Sequence, residues 1–74
     1  MNNMNTMRLA YHYAQINLET GECVACFTCS YEIPLPNYIR IPSYKGEYVG
    51  LFYNQQDGLW YTDGSFTVLT DGFN

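Results

Sequence analysis

No apolar stripe in this chain repeats every 3.6 residues for three turns, so no segment of it asks to be a long helix. Alternation broken by turn residues takes its place. In "RLAYHYAQINL", Arg8 to Leu18, one face collects Ala10, His12, Ala14, Ile16 and Leu18. The other collects Leu9, Tyr11, Tyr13, Gln15 and Asn17. A period of two is the signature of a strand. "ETGE", Glu19 to Glu22, reads as a turn in which Gly21 can take a positive φ, and Glu22 to Tyr31 returns as the second strand. A two-residue loop at Thr20-Gly21 predicts Leu18 opposite Cys23, Ile16 opposite Ala25, Ala14 opposite Phe27 and His12 opposite Cys29. This register gathers Ile16, Leu18, Cys23, Ala25, Phe27 and Cys29 as the core face. It leaves Tyr13, Gln15, Asn17, Val24, Cys26, Thr28 and Ser30 on the more polar one. It also brings the like charges Glu19 and Glu22 together at the loop.

The rest of the chain is punctuated more densely. "IPLPN", Ile33 to Asn37, carries two prolines that lack backbone donors, so it reads as an extended crossover loop. "YIRI", Tyr38 to Ile41, is a short strand ended by Pro42. Ser43 to Gly50 is a loop with room for one helical turn. "LFYN", "LWYT" and "SFTVLT" read as three strands, separated by the turn signals Asp57-Gly58 and Asp63-Gly64; Asp71-Gly72 follows. The predicted fold is all-β, a small N-terminal hairpin plus a C-terminal β-meander, with five or six short strands. Residues 7–74 form one small domain. Residues 1–6, polar and preceding the third of the starts Met1, Met4 and Met7, are expected to be a disordered extension.

Composition bounds function. With 74 residues the core is small, and cores of this size are commonly supplemented by disulfides, a metal or association, so a homo-oligomer is expected. Hydrophobic residues at 47% and charged residues at 14% place the chain among globular rather than disordered sequences. The net charge is −4 and the only Lys and Arg residues are Arg8, Arg40 and Lys45. A nucleic-acid backbone needs several cationic contacts, so no direct binding to one is expected. No run approaches the roughly 20 apolar residues of a membrane span, and no signal peptide is visible. Three cysteines without a secretory signal read as free thiols in a reducing cytosol.

Cys23, Cys26 and Cys29 are spaced C-x-x-C-x-x-C. Zinc–sulfur bonds are about 2.3 Å long, so metal ligands must converge on one point. On a strand Cys23 and Cys29 stand roughly 20 Å apart at ~3.3 Å per residue, and Cys26 faces the other way. An iron–sulfur run would need a fourth cysteine. The expectation is structural thiols, with no metal and no cofactor. His12, the single histidine, falls near Cys29, but mid-sheet packing supplies neither the lowered pKa nor the access of a nucleophilic cysteine. Glu19, Glu22, Asp57, Asp63 and Asp71 sit mostly at turns. There is no glycine-rich phosphate loop before a helix and no serine elbow. The chain reads as a non-enzyme with no catalytic residue.

Taken in order, "YHYAQIN", "GECV", "YIRIPSY", "VGLFYN" and "DGLW" resemble short bacteriophage and prophage accessory proteins of the tail and lysis region. Those proteins open on a Tyr-x-Tyr-Ala strand and continue through a hairpin ending in Cys-Val, an Ile-x-Ile-x-Ser-Tyr segment, a Gly-x-x-Tyr-Asn segment and a Gly-x-Trp. The resemblance runs from about Met7 to Trp60, and "YTDGSFTVLTDGFN" departs from it. It implies a phage accessory protein acting in the host bacterial cytoplasm, with the virion as the alternative, and assigns no activity.

Three functions compete. The preferred expectation is counter-defence, by sequestering a nucleotide-derived host immune signal at a subunit interface. Its residues are Tyr38, Arg40, Tyr44, Lys45 and Tyr48, grouped in "NYIRIPSYKGEY", with Trp60 as a further stacking wall. Aromatic faces stack bases, and Arg and Lys meet phosphate. The plainer account makes the tyrosines core or interface filler and Arg40 and Lys45 a solvated edge that blocks aggregation. The alternatives are a tail or virion structural or assembly protein, or a protein-directed inhibitor of a host defence enzyme.

Overall fold

The computed structural model describes residues 9–74. The expected extension at 1–6 lies outside them. Five strands follow in order: β1 (Tyr11–Ile16), β2 (Cys23–Cys29), β3 (Tyr38–Ile41), β4 (Phe52–Asn54) and β5 (Leu59–Tyr61). A 3-10 turn, Gly46–Tyr48, is the helical turn the loop had room for. The protein is all-β, as expected. Its strands form two antiparallel sheets, β2-β1-β3 and β4-β5. Among the described residues no helix is long and apolar enough to cross a membrane.

β1 is central, and β2 and β3 both run antiparallel to it. They are therefore parallel to each other, and the chain must cross the sheet between them. Residues 30–37 make that crossing. Pro34 and Pro36 suit it because a loop that pairs with no strand loses nothing by lacking two N–H groups. Ile33 N–H donates to the Tyr13 hydroxyl at 2.9 Å, which pins the crossover above β1. Beneath it Tyr13, Phe27 and Tyr38 form an aromatic cluster with centroid spacings of 5.7 to 6.3 Å.

The other face of this sheet is the main core. Ala14, Ile16, Cys23 and Ile41 pack with Tyr48 and Trp60, and Cys26, Ile39, Leu51, Tyr53 and Phe73 complete the cluster. Few aliphatics are available, so rings fill the volume. Tyr48 lies 4.9 Å from Trp60 and 5.0 Å from Phe73, and Tyr53 lies 5.0 Å from Trp60. Each such side chain fully removed from water contributes about 1.5–3 kcal/mol.

The hairpin register departs from the expected one. His12 faces Thr28, Ala14 faces Cys26 and Gln15 faces Ala25, one residue away from the predicted pairs, and a bulge then sets Ile16 opposite Cys23. The cause is a longer loop. Asn17 N–H donates to Glu22 O at 2.8 Å, and the Asn17 side-chain oxygen accepts from the N–H groups of Glu19 (2.8 Å) and Thr20 (3.3 Å). A one-residue slip exchanges faces. Phe27 and Ala25 therefore leave the main core for the crossover side, Leu18 is exposed, and Cys26 packs against the core rather than on the polar face. Val24 is the extra residue of the bulge, since Cys23 and Ala25 take successive partners. That insertion lets Cys23 and Cys26, three apart, share a face that a regular strand would deny them.

The two sheets are joined at Cys23, whose N–H donates to Leu51 O (2.8 Å) and whose carbonyl accepts from Gly50 N–H (2.9 Å). Tyr53 N–H donates to Gly21 O at 2.9 Å. The third meander strand expected in "SFTVLT" shrinks to one bridge, Tyr61 with Leu69. Asp63 explains this. Its carboxylate accepts from the N–H groups of Thr67 and Val68 and from the Thr67 hydroxyl, drawing these groups into a turn instead of a ladder.

Candidate functional site

β3 carries the one predicted site cation that sits on a sheet. Its register puts Arg40 beside Tyr13, on the crossover side of β1. The exposed Arg40 guanidinium lies 4.5 Å from the centre of the Tyr11 ring. That stacking holds the fork in place and leaves its N–H edge open. Ile16 N–H donates to Asn37 O at 2.9 Å. Ladder alternation then turns the backbone groups of Ile39 and Ile41 towards β1 and those of Arg40 outward. No strand of the described residues covers that outer edge.

The six predicted residues do not meet at one place. Tyr38 is half-buried, edge-on to Tyr13 and Phe27, and adjoins the Arg40 side of the sheet. Tyr44 is exposed beyond the end of β3. Lys45 reaches the C-terminal segment, where Nζ donates to Gly72 O at 3.1 Å and stands 4.8 Å from the Phe73 ring. Tyr48 and Trp60 lie in the core, 2% and 4% exposed, and offer no face to a ligand. A chain this short in aliphatics had to recruit its large rings inward, and the number of turns around each ring hid that demand.

Tyr11 is the residue that sequence reasoning missed. Alternation places it on the Tyr13 face, but its approach to Arg40 requires β1 to be central. Nothing in the sequence states which strand is central.

The thiols form no cluster. Cys23 is buried, its Sγ donating to Ala25 O at 3.3 Å, and burial pushes its pKa up to about 11. The Cys29 thiol donates to Tyr31 O at 3.1 Å. His12 Nδ1 meets the Thr28 hydroxyl at 2.8 Å, so the expected neighbourhood of His12 and Cys29 is replaced by a hydrogen bond one residue away. Among the described residues no three His, Cys, Asp or Glu side chains come together as metal ligands would.

No family model, characterised protein or solved structure matches the chain. Function is therefore read from its own side chains.

Proposed function

We propose that the chain is a non-enzymatic bacteriophage protein that acts in the host cytoplasm by sequestering a nucleotide-derived immune signal at an interface between copies. The observation that carries this reading is Arg40, held over Tyr11 on a strand whose outer edge is unpaired. Two copies joined along β3 about a two-fold axis bring two guanidinium groups to one sheet face. Like charges placed opposite one another repel. A bridging phosphate turns that repulsion into two charge-assisted contacts. Tyr11 and Tyr38 flank the pair as aromatic surface. Tyr48 and Trp60 take no part, and Tyr44 and Lys45 serve only where a ligand extends past the end of β3.

The test is calorimetry with cyclic oligonucleotides and ADP-ribose derivatives on the wild type, Arg40→Ala and Tyr11→Ala. Binding by the wild type that weakens about tenfold or more in Arg40→Ala is expected, as for loss of a charged hydrogen bond. Binding untouched by Arg40→Ala would move the site elsewhere. No binding to any of these compounds, with the protein present in purified virions, would favour a structural role in the tail. That second reading draws on Tyr31 and Leu35, apolar side chains exposed on or beside the crossover.

A further inference from the structure

The hairpin loop, the β4–β5 turn and Phe66 line an open groove of about 420 Å³, with Leu18, Glu19, Tyr53, Gln55, Gln56 and Phe66 among its residues. We infer that this groove binds an uncharged, hydroxyl-rich ring, a carbohydrate in class, independently of Arg40. The volume falls within the range of small-molecule sites.

Phe66 is the first reason. It is the only non-glycine residue among those described with a positive φ, 57°. For a bulky side chain the left-handed region is a genuine outlier, costing about 1–3 kcal/mol. The Asp63 turn holds it there. The strain does not serve the main core, because Phe66 lies outside that cluster and remains half-exposed. It sets the ring against Tyr61, 5.6 Å away, and above Gly21, where an added Cβ would stand 3.2 Å from the ring. An aromatic side is thereby given to a groove that otherwise consists largely of loop.

The polar lining supplies the second reason. Among the described residues no Arg or Lys lines the groove, one carboxylate (Glu19) does, and the chain carries a net charge of −4, so an anion is disfavoured. Gln55 and Gln56 are both exposed, and Gln56 is fixed at its backbone by donation to Asn54 Oδ1 at 2.9 Å. A carboxamide both donates and accepts, as a pair of neighbouring ring hydroxyls does. An aromatic face can meet the C–H face of a sugar, while carboxamides and a carboxylate meet its hydroxyls.

The experiment is a titration of ¹⁵N-labelled full-length protein with cellobiose, maltose, lactose and N,N′-diacetylchitobiose, followed by amide shifts. At least one disaccharide is expected to move the amides of residues 19–21, 53–56 and 66, with Kd on the order of 1 mM. The double variant Gln55→Ala/Gln56→Ala should bind about tenfold more weakly and melt like the wild type, since both side chains are exposed. Arg40→Ala should bind as the wild type does. Absence of groove shifts with all four sugars, or shifts that persist in the double variant, would overturn the site. So would loss of sugar binding in Arg40→Ala. The nucleotide titration reports on Arg40 alone, so either reading can fail while the other stands.

Discussion

At Gly21 the absence of one carbon lets the two sheets touch. Its φ is +82°, and a Cβ there would stand 2.6 Å from the Tyr53 carbonyl oxygen, a backbone atom with nowhere to go. Gly72 has a similar φ, +87°, and open space around the same position. Alanine at 72 should therefore cost only the left-handed backbone term, about 1 kcal/mol. Alanine at 21 should add the collision and cost about 2–4 kcal/mol in total. Comparing the two melting curves isolates the contact; equal losses would show that Gly21 is needed for its dihedral alone. A second residue-level expectation concerns Cys23. Burial raises its pKa from 9.0 to about 11, so the neutral thiol is the native form. A group bound more tightly to its proton when folded stabilises fully below the unfolded value, and that stability fades as pH rises from about 9 towards 11. Thiol titration at pH 8 should label half-exposed Cys29 readily and Cys23 only at the rate of unfolding. Equal labelling of the two in the native protein would contradict its burial.

Among the elements, the turn from Asp63 to Val68 decides how the meander ends. The Thr67 hydroxyl and the Val68 and Thr67 N–H groups hold the Asp63 pKa below the usual carboxylate value. A depressed folded pKa stabilises above the unfolded value of about 4 and is lost as pH falls through the folded one. Asp63→Asn should lower stability at pH 7 to 9, where the charged carboxylate holds the turn, and flatten the fall of stability below about pH 4, so that variant and wild type converge in acid, measured by denaturant midpoint across that range. An unchanged acid limb would show that the turn is held without the charge. This element also marks the limit of what the sequence tells. "SFTVLT" has strand-forming residues at every other position, and propensity favours a ladder. Asp63, already visible as a turn residue, competes for the same N–H groups and prevails over all but one bridge. The hairpin teaches a similar lesson. Both strands were legible from alternation, but their register depended on Asn17 capping a longer loop, a signal present in "INLETGE" and outweighed by the expectation of a two-residue turn.

The whole molecule inherits its exposed edge from the order of its strands. With β1 central, β3 offers the outward N–H and C=O of Arg40 to another chain, and such edges are either blocked or paired. A homo-oligomer through β3 should fall to monomer in Arg40→Pro, because proline removes the outward N–H while the β1 ladder, built on Ile39 and Ile41, keeps its bonds. Sedimentation of both proteins with circular dichroism as a control checks this; an oligomer that survives the substitution would place the interface elsewhere. At this scale the sequence conveyed the class, the crossover loop and the position of Tyr38–Ile41. It did not convey that the first strand would be enclosed on both sides. Strand order is a property of contacts far apart in the chain, and local pattern carries none of it. The scattering of the six candidate residues has the same origin: Arg40 and Trp60 were close in expectation, yet one lies on the outer side of a sheet and the other in the core between sheets.

The central place of β1 also sets how the protein meets a mechanical load. Its hydrogen bonds run crosswise to β2 on one side and to β3 on the other. A pull along the axis of β1 from residue 9 loads both ladders in shear, so many bonds must yield together. A pull outward on β3 from residue 42 peels one ladder a bond at a time. The same small sheet is therefore stiff along one direction and weak along another, and tension applied at residue 9 along β1 meets the stiff one.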